Sequence, residues 1–424
     1  MTIANVTTPM LGFVGATVIG RLGDAALLGA IALGAVIFDA LFWSFGALRM
    51  ATAGLTAQAV GARDGAEVDR TLARALAAAL VAGLALVVLQ GPIAAAAFRI
   101  TGASPAVIAG LATYIHIRIL SAPFALANYA VLGSVLGRGR TDLGLLLQVA
   151  INLVNIGLTL ALVLGLDLGL SGAALATVIA EAAGLALGLA ILVRLGSKPW
   201  RVPWFEVRDP VALRRTLAVN GDVIVRTLAL VSGIVLFSSL GARQGDAVLA
   251  ANAVLWNLFL IGGFFLDGFA TAAEALCGQA VGGRDAGGFR KASALSLGWC
   301  LGFGLGVSLL ALVGGHAFID FVTTSEPVRA VARRYLPLAA APFVAALPFA
   351  YDGIYIGATW TRAMRNLMLA ALAAYCAALV LVQGLNLGNA GLWLAFLAFL
   401  GARGIGQALA YPGLARRTFL PGRA

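Results

Sequence analysis

Apolar residues in this chain come in long, nearly unbroken runs, and short polar clusters separate them. One-sided stripes at helical spacing, the mark of a soluble helical protein, do not describe the pattern. A helix needs about 20 apolar residues to cross a bilayer. Runs of that length fall at 2–20, 28–59, 70–96, 107–137, 142–165, 169–194, 213–240, 247–281, 287–319, 327–358, 365–385 and 388–412. The pattern therefore predicts an all-α polytopic membrane protein with twelve spans. The longest polar break, GSKPWRVPWFEVRDP from Gly196 to Pro210, places three prolines and two tryptophans among charges, as an interfacial segment does. It halves the chain, so the expected organisation is an N-lobe (1–195), a cytoplasmic linker (196–212) and a C-lobe (213–424).

Composition excludes most alternatives. Of 424 residues, 61% are hydrophobic and 11% charged, against about 25% charged in a soluble domain. That leaves too few charges to cover a water-exposed body, so a soluble enzyme is excluded. The net charge of +11 comes almost entirely from arginine in short connections. With no basic domain, nucleic acid is not an expected partner. Counted by alternate connections, nineteen basic residues fall on one side and six on the other. The positive-inside rule then puts both termini and the linker in the cytoplasm of a bacterial inner membrane. Three scattered cysteines and two histidines lack metal-ligand spacing. Nor is there a nucleophile–base pair or a phosphate-cradling glycine loop. The reading is a non-enzyme without metal or cofactor, a monomer whose partners are the bilayer and a small organic substrate.

Internal repetition makes the prediction more specific. Gln58-Ala-Val-Gly-Ala-Arg63-Asp64 recurs as Gln279-Ala-Val-Gly-Gly-Arg284-Asp285, Ala122-Pro123-Phe124 as Ala341-Pro342-Phe343, and Gly137 with Thr141 as Gly357 with Thr361. The offsets of 219–221 keep one order. Six spans is an even number, so the two copies run in the same direction across the membrane. Parallel repeats of this kind build transporters.

Four segments carry a family likeness: Gly54-Leu-Thr-Ala-Gln-Ala-Val-Gly-Ala-Arg-Asp64, Gly172-Ala-Ala-Leu-Ala-Thr-Val-Ile-Ala-Glu181, Leu266-Asp-Gly-Phe-Ala270 with Glu274, and Asp352-Gly-Ile-Tyr-Ile-Gly-Ala-Thr359 with Met364-Arg-Asn366. They resemble the DinF branch of the multidrug and toxic compound extrusion (MATE) transporters, over about residues 4–410. The resemblance implies two six-helix lobes, a V-shaped central cleft, and export of organic cations or metabolites against inward flow of protons or sodium ions. It also exposes departures. Where the branch has an aspartate in its first helix, this chain reads Gly12-Phe-Val-Gly15-Ala16, and where the fifth helix has one, it reads Thr159. Family members also carry a polar segment before the position of Asn5, which implies a truncated or misassigned start.

Acids inside spans cost about 2.5–3.5 kcal/mol each on the insertion scale, so each asks for a reason. Competition between a proton or sodium ion and a cationic substrate for one carboxylate is the simplest coupling device. In span 8, Asp267, Thr271 and Glu274 share one helical face, and in span 10 Asp352, Tyr355 and Thr359 do the same. Asp267, Glu274, Asp352 and Asp222 are the candidate cation-coupling residues. Interhelical hydrogen bonding explains the two faces equally simply, and an Asp222–Arg226 pair at i, i+4 would be structural. A possible N-lobe site comprises Asn152, Asn155, Thr159, Thr177, Glu181 and Asp39. Asp39 either relocates the missing first-helix carboxylate or faces headgroups and Arg21. Trp43, Tyr129, Trp256 and Phe264 are candidate cleft aromatics for organic cations, and Pro123 and Pro342 are candidate kinks. Two further functions stay open: a lipid-linked substrate flippase, disfavoured by only four mid-span arginines (Arg49, Arg118, Arg226, Arg403), and a degenerate copy that no longer couples.

Overall fold

The structure, a computed structural model, describes residues 25–420. These form sixteen α-helices and no strand. The chain separates into two compact units, Met1–Leu217 and Ala218–Ala424. The first predicted span, 2–20, lies outside the described residues. Each of the other eleven meets helical structure: ten are long apolar helical stretches and the eleventh is a pair bent by 49°.

In the first unit the helices are α1 (Ala25–Ser44), α2 (Gly46–Gly61), α3 (Gly65–Val88), α4 (Gln90–Thr101), α5 (Pro105–Arg118), α6 (Ala122–Gly137), α7 (Thr141–Leu160), α8 (Gly169–Arg194) and the single turn α9 (Trp204–Val207). Helix α10 (Pro210–Ala242) leads into the second unit, followed by α11 (Asp246–Gly282), α12 (Ala286–Val322), α13 (Glu326–Ala339), α14 (Pro342–Gly357), α15 (Thr361–Gly384) and α16 (Gly388–Phe419). Besides the bent pair and the 3-10 turn at Ile119–Ser121 within 107–137, two further predicted spans are broken. The run at 28–59 is interrupted at Phe45, and the run at 70–96 stops at Leu89. Pro92 explains the second break, because its ring would collide with the Val88 carbonyl one turn earlier.

Each unit is built on a largely buried central helix with close-packing glycines. In α6, almost every residue from Ala125 to Gly137 is buried. A Cβ added at Gly133 or Gly137 would lie 2.5 Å from the carbonyl oxygen of Arg49 or Ala53 on α2. In α14, a Cβ at Gly353 or Gly357 would come closer still to the carbonyl oxygens of Ala270 and Glu274 on α11. Only glycine lets these backbones meet. The pairs stand 220–221 residues apart, so the sequence repeat is a repeat of helix packing. The loop motif repeats too. Asp64 accepts from the Glu67 amide and Asp285 from the Gly288 amide, capping α3 and α12. Arg63 and Arg284 both take left-handed φ, +56° and +54°.

The linker folds onto the first unit. The Arg70 Nε donates to Glu206 Oε2, Arg74 donates to the Glu206 carbonyl from Nε and Nη2 at 3.3 and 3.2 Å, and the Lys198 amide donates to Asp69 at 3.1 Å. Trp200, Trp204 and Phe205 remain exposed, as residues in contact with headgroups would be.

Candidate functional site

The polar groups inside the first unit gather at two places. On α6, Asn128 is buried and its Nδ2 donates to Glu181 Oε2 at 2.7 Å and to the Glu181 carbonyl at 2.9 Å on α8. The charged neighbour of this carboxylate is Arg118, at the end of α5, whose guanidinium stands 5.3 Å over the Phe38 ring. Arg118 is also the cationic neighbour of Asp39 on α1, while Arg21 lies outside the described residues. Tyr129 sits within electrostatic reach of Glu181, Arg49, Asp39 and Arg118. The second place is the neutral stripe. Asn155 Nδ2 donates to Thr177 Oγ1 at 3.0 Å, and Thr159 lies 3.5 Å from Asn155 Oδ1. With Asn152 buried on the same helix, the stripe joins α7 to α8.

The second unit arranges its acids differently from either sequence alternative. Asp222 does not pair with Arg226. It accepts from Arg365 at 2.6 Å and from the Thr361 hydroxyl at 3.1 Å, which anchors α10 to the start of α15. Arg226 turns instead to Asp352 on α14. The same carboxylate oxygen, Oδ2, also accepts from Arg403 on α16, and Oδ1 accepts from Gln407 Nε2 at 2.9 Å. Three helices thus converge on one carboxylate, met by Arg226 and Arg403 from near the middle of their own helices. Asp352, Arg226, Arg403 and Gln407 are exposed by only 7%, 6%, 3% and 1%. Tyr355 donates to the Gln407 carbonyl at 2.7 Å, which orients the α16 face toward α14. The Nε atoms of Arg226 and Arg403 and the Oε1 of Gln407 are buried without a hydrogen-bond partner. Each such orphan costs about 1–3 kcal/mol.

Sequence reasoning named Asp352 and noticed both arginines, but it did not join them and it passed over Gln407. The available signal was the Arg403–Gln407 spacing of i, i+4 in an otherwise apolar span. Thr359 corrects another expectation: α14 ends at Gly357, and Thr359 follows it with a left-handed φ of +53°, off the helical face of Asp352 and Tyr355. On α11, Asp267 is an electrostatic partner of Arg226, the Thr271 hydroxyl bonds its own helix at the Asp267 carbonyl, and Glu274 is buried.

Among the aromatic candidates, Trp256 stacks on Phe259 at 5.6 Å and meets Phe396 at 5.3 Å. It also borders a cavity of about 190 Å³ beside Asn252 and Asn257. Phe264 and Tyr129 are half-buried, and Trp43 is exposed. Pro342 opens α14 after the 49° bend and packs on Gly262 of α11. Pro123 opens α6 after one 3-10 turn and packs on Gly83 of α3. Sequence reasoning also missed a buried trio, in which Asn252 and Asn389 exchange amide hydrogen bonds at 2.8 and 2.9 Å and Trp393 Nε1 donates to Asn252 at 3.0 Å.

Long apolar helices in two repeated bundles, with charged groups at mid-span, are the build of a membrane transporter. The MatE family pattern matches residues 1–161 and 223–381, and the chain belongs to that family. It is 38% identical over 419 residues to DNA damage-inducible protein F of Escherichia coli (strain K12), covering 96% of this chain and 89% of that protein. Protein DETOXIFICATION 45, chloroplastic, of Arabidopsis thaliana is 28% identical over 192 residues, which is 44% of this chain and 33% of that one. Two solved structures share the fold at 18% identity. A MATE crystal structure in the bent conformation has a TM-score of 0.89 and covers 99% of this chain and 95% of its own. A MOP superfamily transporter from Pyrococcus furiosus, described as having a binding pocket of reverse polarity, has a TM-score of 0.85 with 98% and 94% covered.

Proposed function

We propose that this chain is a secondary antiporter, exporting amphipathic organic compounds, organic cations among them, in exchange for protons or sodium ions by alternating access of its two lobes. Family membership supports transport, and one observation supports coupling. Glu181 is a mid-span carboxylate whose hydrogen-bond donor is a neutral amide, Asn128. Its Oε2 can take a proton or an ion without first breaking a salt bridge. Asp352 and Asp222, by contrast, already hold guanidinium groups. The coupling role therefore falls to Glu181, with Asp267 and Glu274 of α11 as the C-lobe candidates, while Asp352 and Asp222 serve as ties. Asn152, Asn155, Thr159 and Thr177 offer neutral oxygens to the same ion but no exchangeable proton. The arginine distribution supports cytoplasmic termini, and the function needs no cofactor and no second subunit.

The test is ethidium transport by purified protein in liposomes, under a proton gradient or a sodium gradient imposed separately. Glu181→Gln should abolish gradient-driven transport while leaving downhill exchange intact. Transport by Glu181→Gln at the wild-type rate under both gradients overturns the assignment.

A further inference from the structure

Two guanidinium groups on one carboxylate is more positive charge than a structural tie requires. A single arginine would neutralise Asp352 and hold two helices together; Arg226 has Asp267 as a further electrostatic partner, and the second guanidinium on the same carboxylate adds a burial cost. The way the arginines engage is also incomplete. A guanidinium matches a carboxylate or phosphate through two parallel N–H groups. Here Arg226 and Arg403 each give Asp352 a single Nη2, both to the same oxygen. The neighbouring Nε–H on each, and Oε1 of Gln407, stay buried and unpartnered. A network that exists only to hold helices together is normally saturated. This one keeps two Nε–H donors and one amide oxygen acceptor unused, all four side chains being more than nine-tenths buried.

We propose that Arg226, Arg403 and Gln407 form a receptor for the acidic group, carboxylate or phosphate, of an amphipathic substrate. Asp352 is its built-in placeholder and, with Asp267 as the further electrostatic partner of Arg226, offsets the two arginines when no substrate is present. An incoming acid takes over the guanidiniums and displaces the Asp352 carboxylate from them, adding one negative charge beside two arginines that a single carboxylate only half offsets. The substrate class of the transporter thereby extends to acidic and zwitterionic amphipaths. The inference rests on the transport reading only in naming the ligand a substrate, because binding itself needs neither a gradient nor Glu181.

Equilibrium binding to purified full-length protein tests it, using three probes with one fluorophore: dansylglycine (acid), dansylglycinamide (its neutral isostere) and dansylcadaverine (cation). Wild type should bind dansylglycine at least tenfold more tightly than the amide, and Arg403→Gln and Arg226→Gln should lose that preference. Asp352→Gly removes the placeholder, so sodium acetate should raise its thermal stability, or its yield of monodisperse protein if it folds poorly alone, while leaving wild type unchanged. Lysophosphatidylglycerol that displaces dansylglycine identifies a lipid headgroup as the source of the acid. A probe that resists displacement identifies a free amphipath. Equal affinity for acid and amide in wild type, or an acid preference that survives Arg403→Gln, overturns the proposal. The antiport reading fails separately, if the wild-type protein shows no ethidium transport under either gradient.

Discussion

Asparagine at position 352 tests what the buried charge does, because the side chain keeps its shape while losing its charge and one acceptor oxygen. Removing one partner of a buried ion pair costs about 3–5 kcal/mol, since the other charge is left in a dry site. Asp352→Asn leaves two such charges, on side chains 6% and 3% exposed. The expected loss is therefore in the upper half of that range. Asp222→Asn is the control. Its partner Arg365 keeps 29% of its side-chain surface exposed, so water takes over the guanidinium, and a loss of about 1 kcal/mol or less is expected.

Equilibrium unfolding in mixed micelles, followed by tryptophan fluorescence, measures both, because Trp393 is fully buried in the same unit. Arg226→Gln in the Asp352→Asn background removes one stranded charge and should recover part of the loss, giving a coupling energy well above the error of the cycle. If Asp352→Asn costs no more than Asp222→Asn, the two arginines are neutralised elsewhere, with Asp267 the first suspect, and Asp352 is neither a tie nor a placeholder.

Other substitutions test the packing and the linker. Gly353→Ala drives a methyl into the Ala270 carbonyl and should cost about 1–3 kcal/mol. Gly298→Ala, in α12 with nothing within 4 Å, should gain up to about 1 kcal/mol in the same unfolding assay. Asn252→Ala strands the Asn389 amide and the Trp393 indole N–H and should cost about 1–3 kcal/mol, read the same way. Glu206→Gln removes the linker's ion pair with Arg70 while leaving the Arg74 bonds to the Glu206 backbone carbonyl, so trypsin should cleave after Arg201 faster than in wild type; an unchanged rate refutes a role for the ion pair in the docking.

The spans were legible because hydrophobic run length is a local property, and eleven of the twelve predicted runs coincide with helices. The breaks at Phe45 and Leu89 were not, because an apolar run looks the same whether or not its helix bends. Pro92 carried the second signal and was overlooked. The candidate acids were legible as rare charges in apolar context, but their partners were not. Asp222 chose Arg365, 143 residues away, over Arg226, one turn away. Only the fold decides such a choice, because the cost of burying Arg226 is met by Asp352 on α14.

The repeat shows how far symmetry can carry a functional argument. Gly133 and Gly137 press on α2 just as Gly353 and Gly357 press on α11, so the two units share a backbone solution in which any side chain at those positions would separate the helices. Their polar interiors share nothing. The first unit sets one carboxylate against a neutral amide and a neutral stripe, whereas the second sets one carboxylate between two arginines. Backbone contacts tolerate no substitution there, while the helix faces around them tolerate many, so the repeat preserves architecture and lets charge diverge. A coupling residue found in one lobe therefore predicts nothing at the matching position of the other. Under the proposed antiport, the lobe that releases an ion most readily should be the one whose carboxylate is held by an amide.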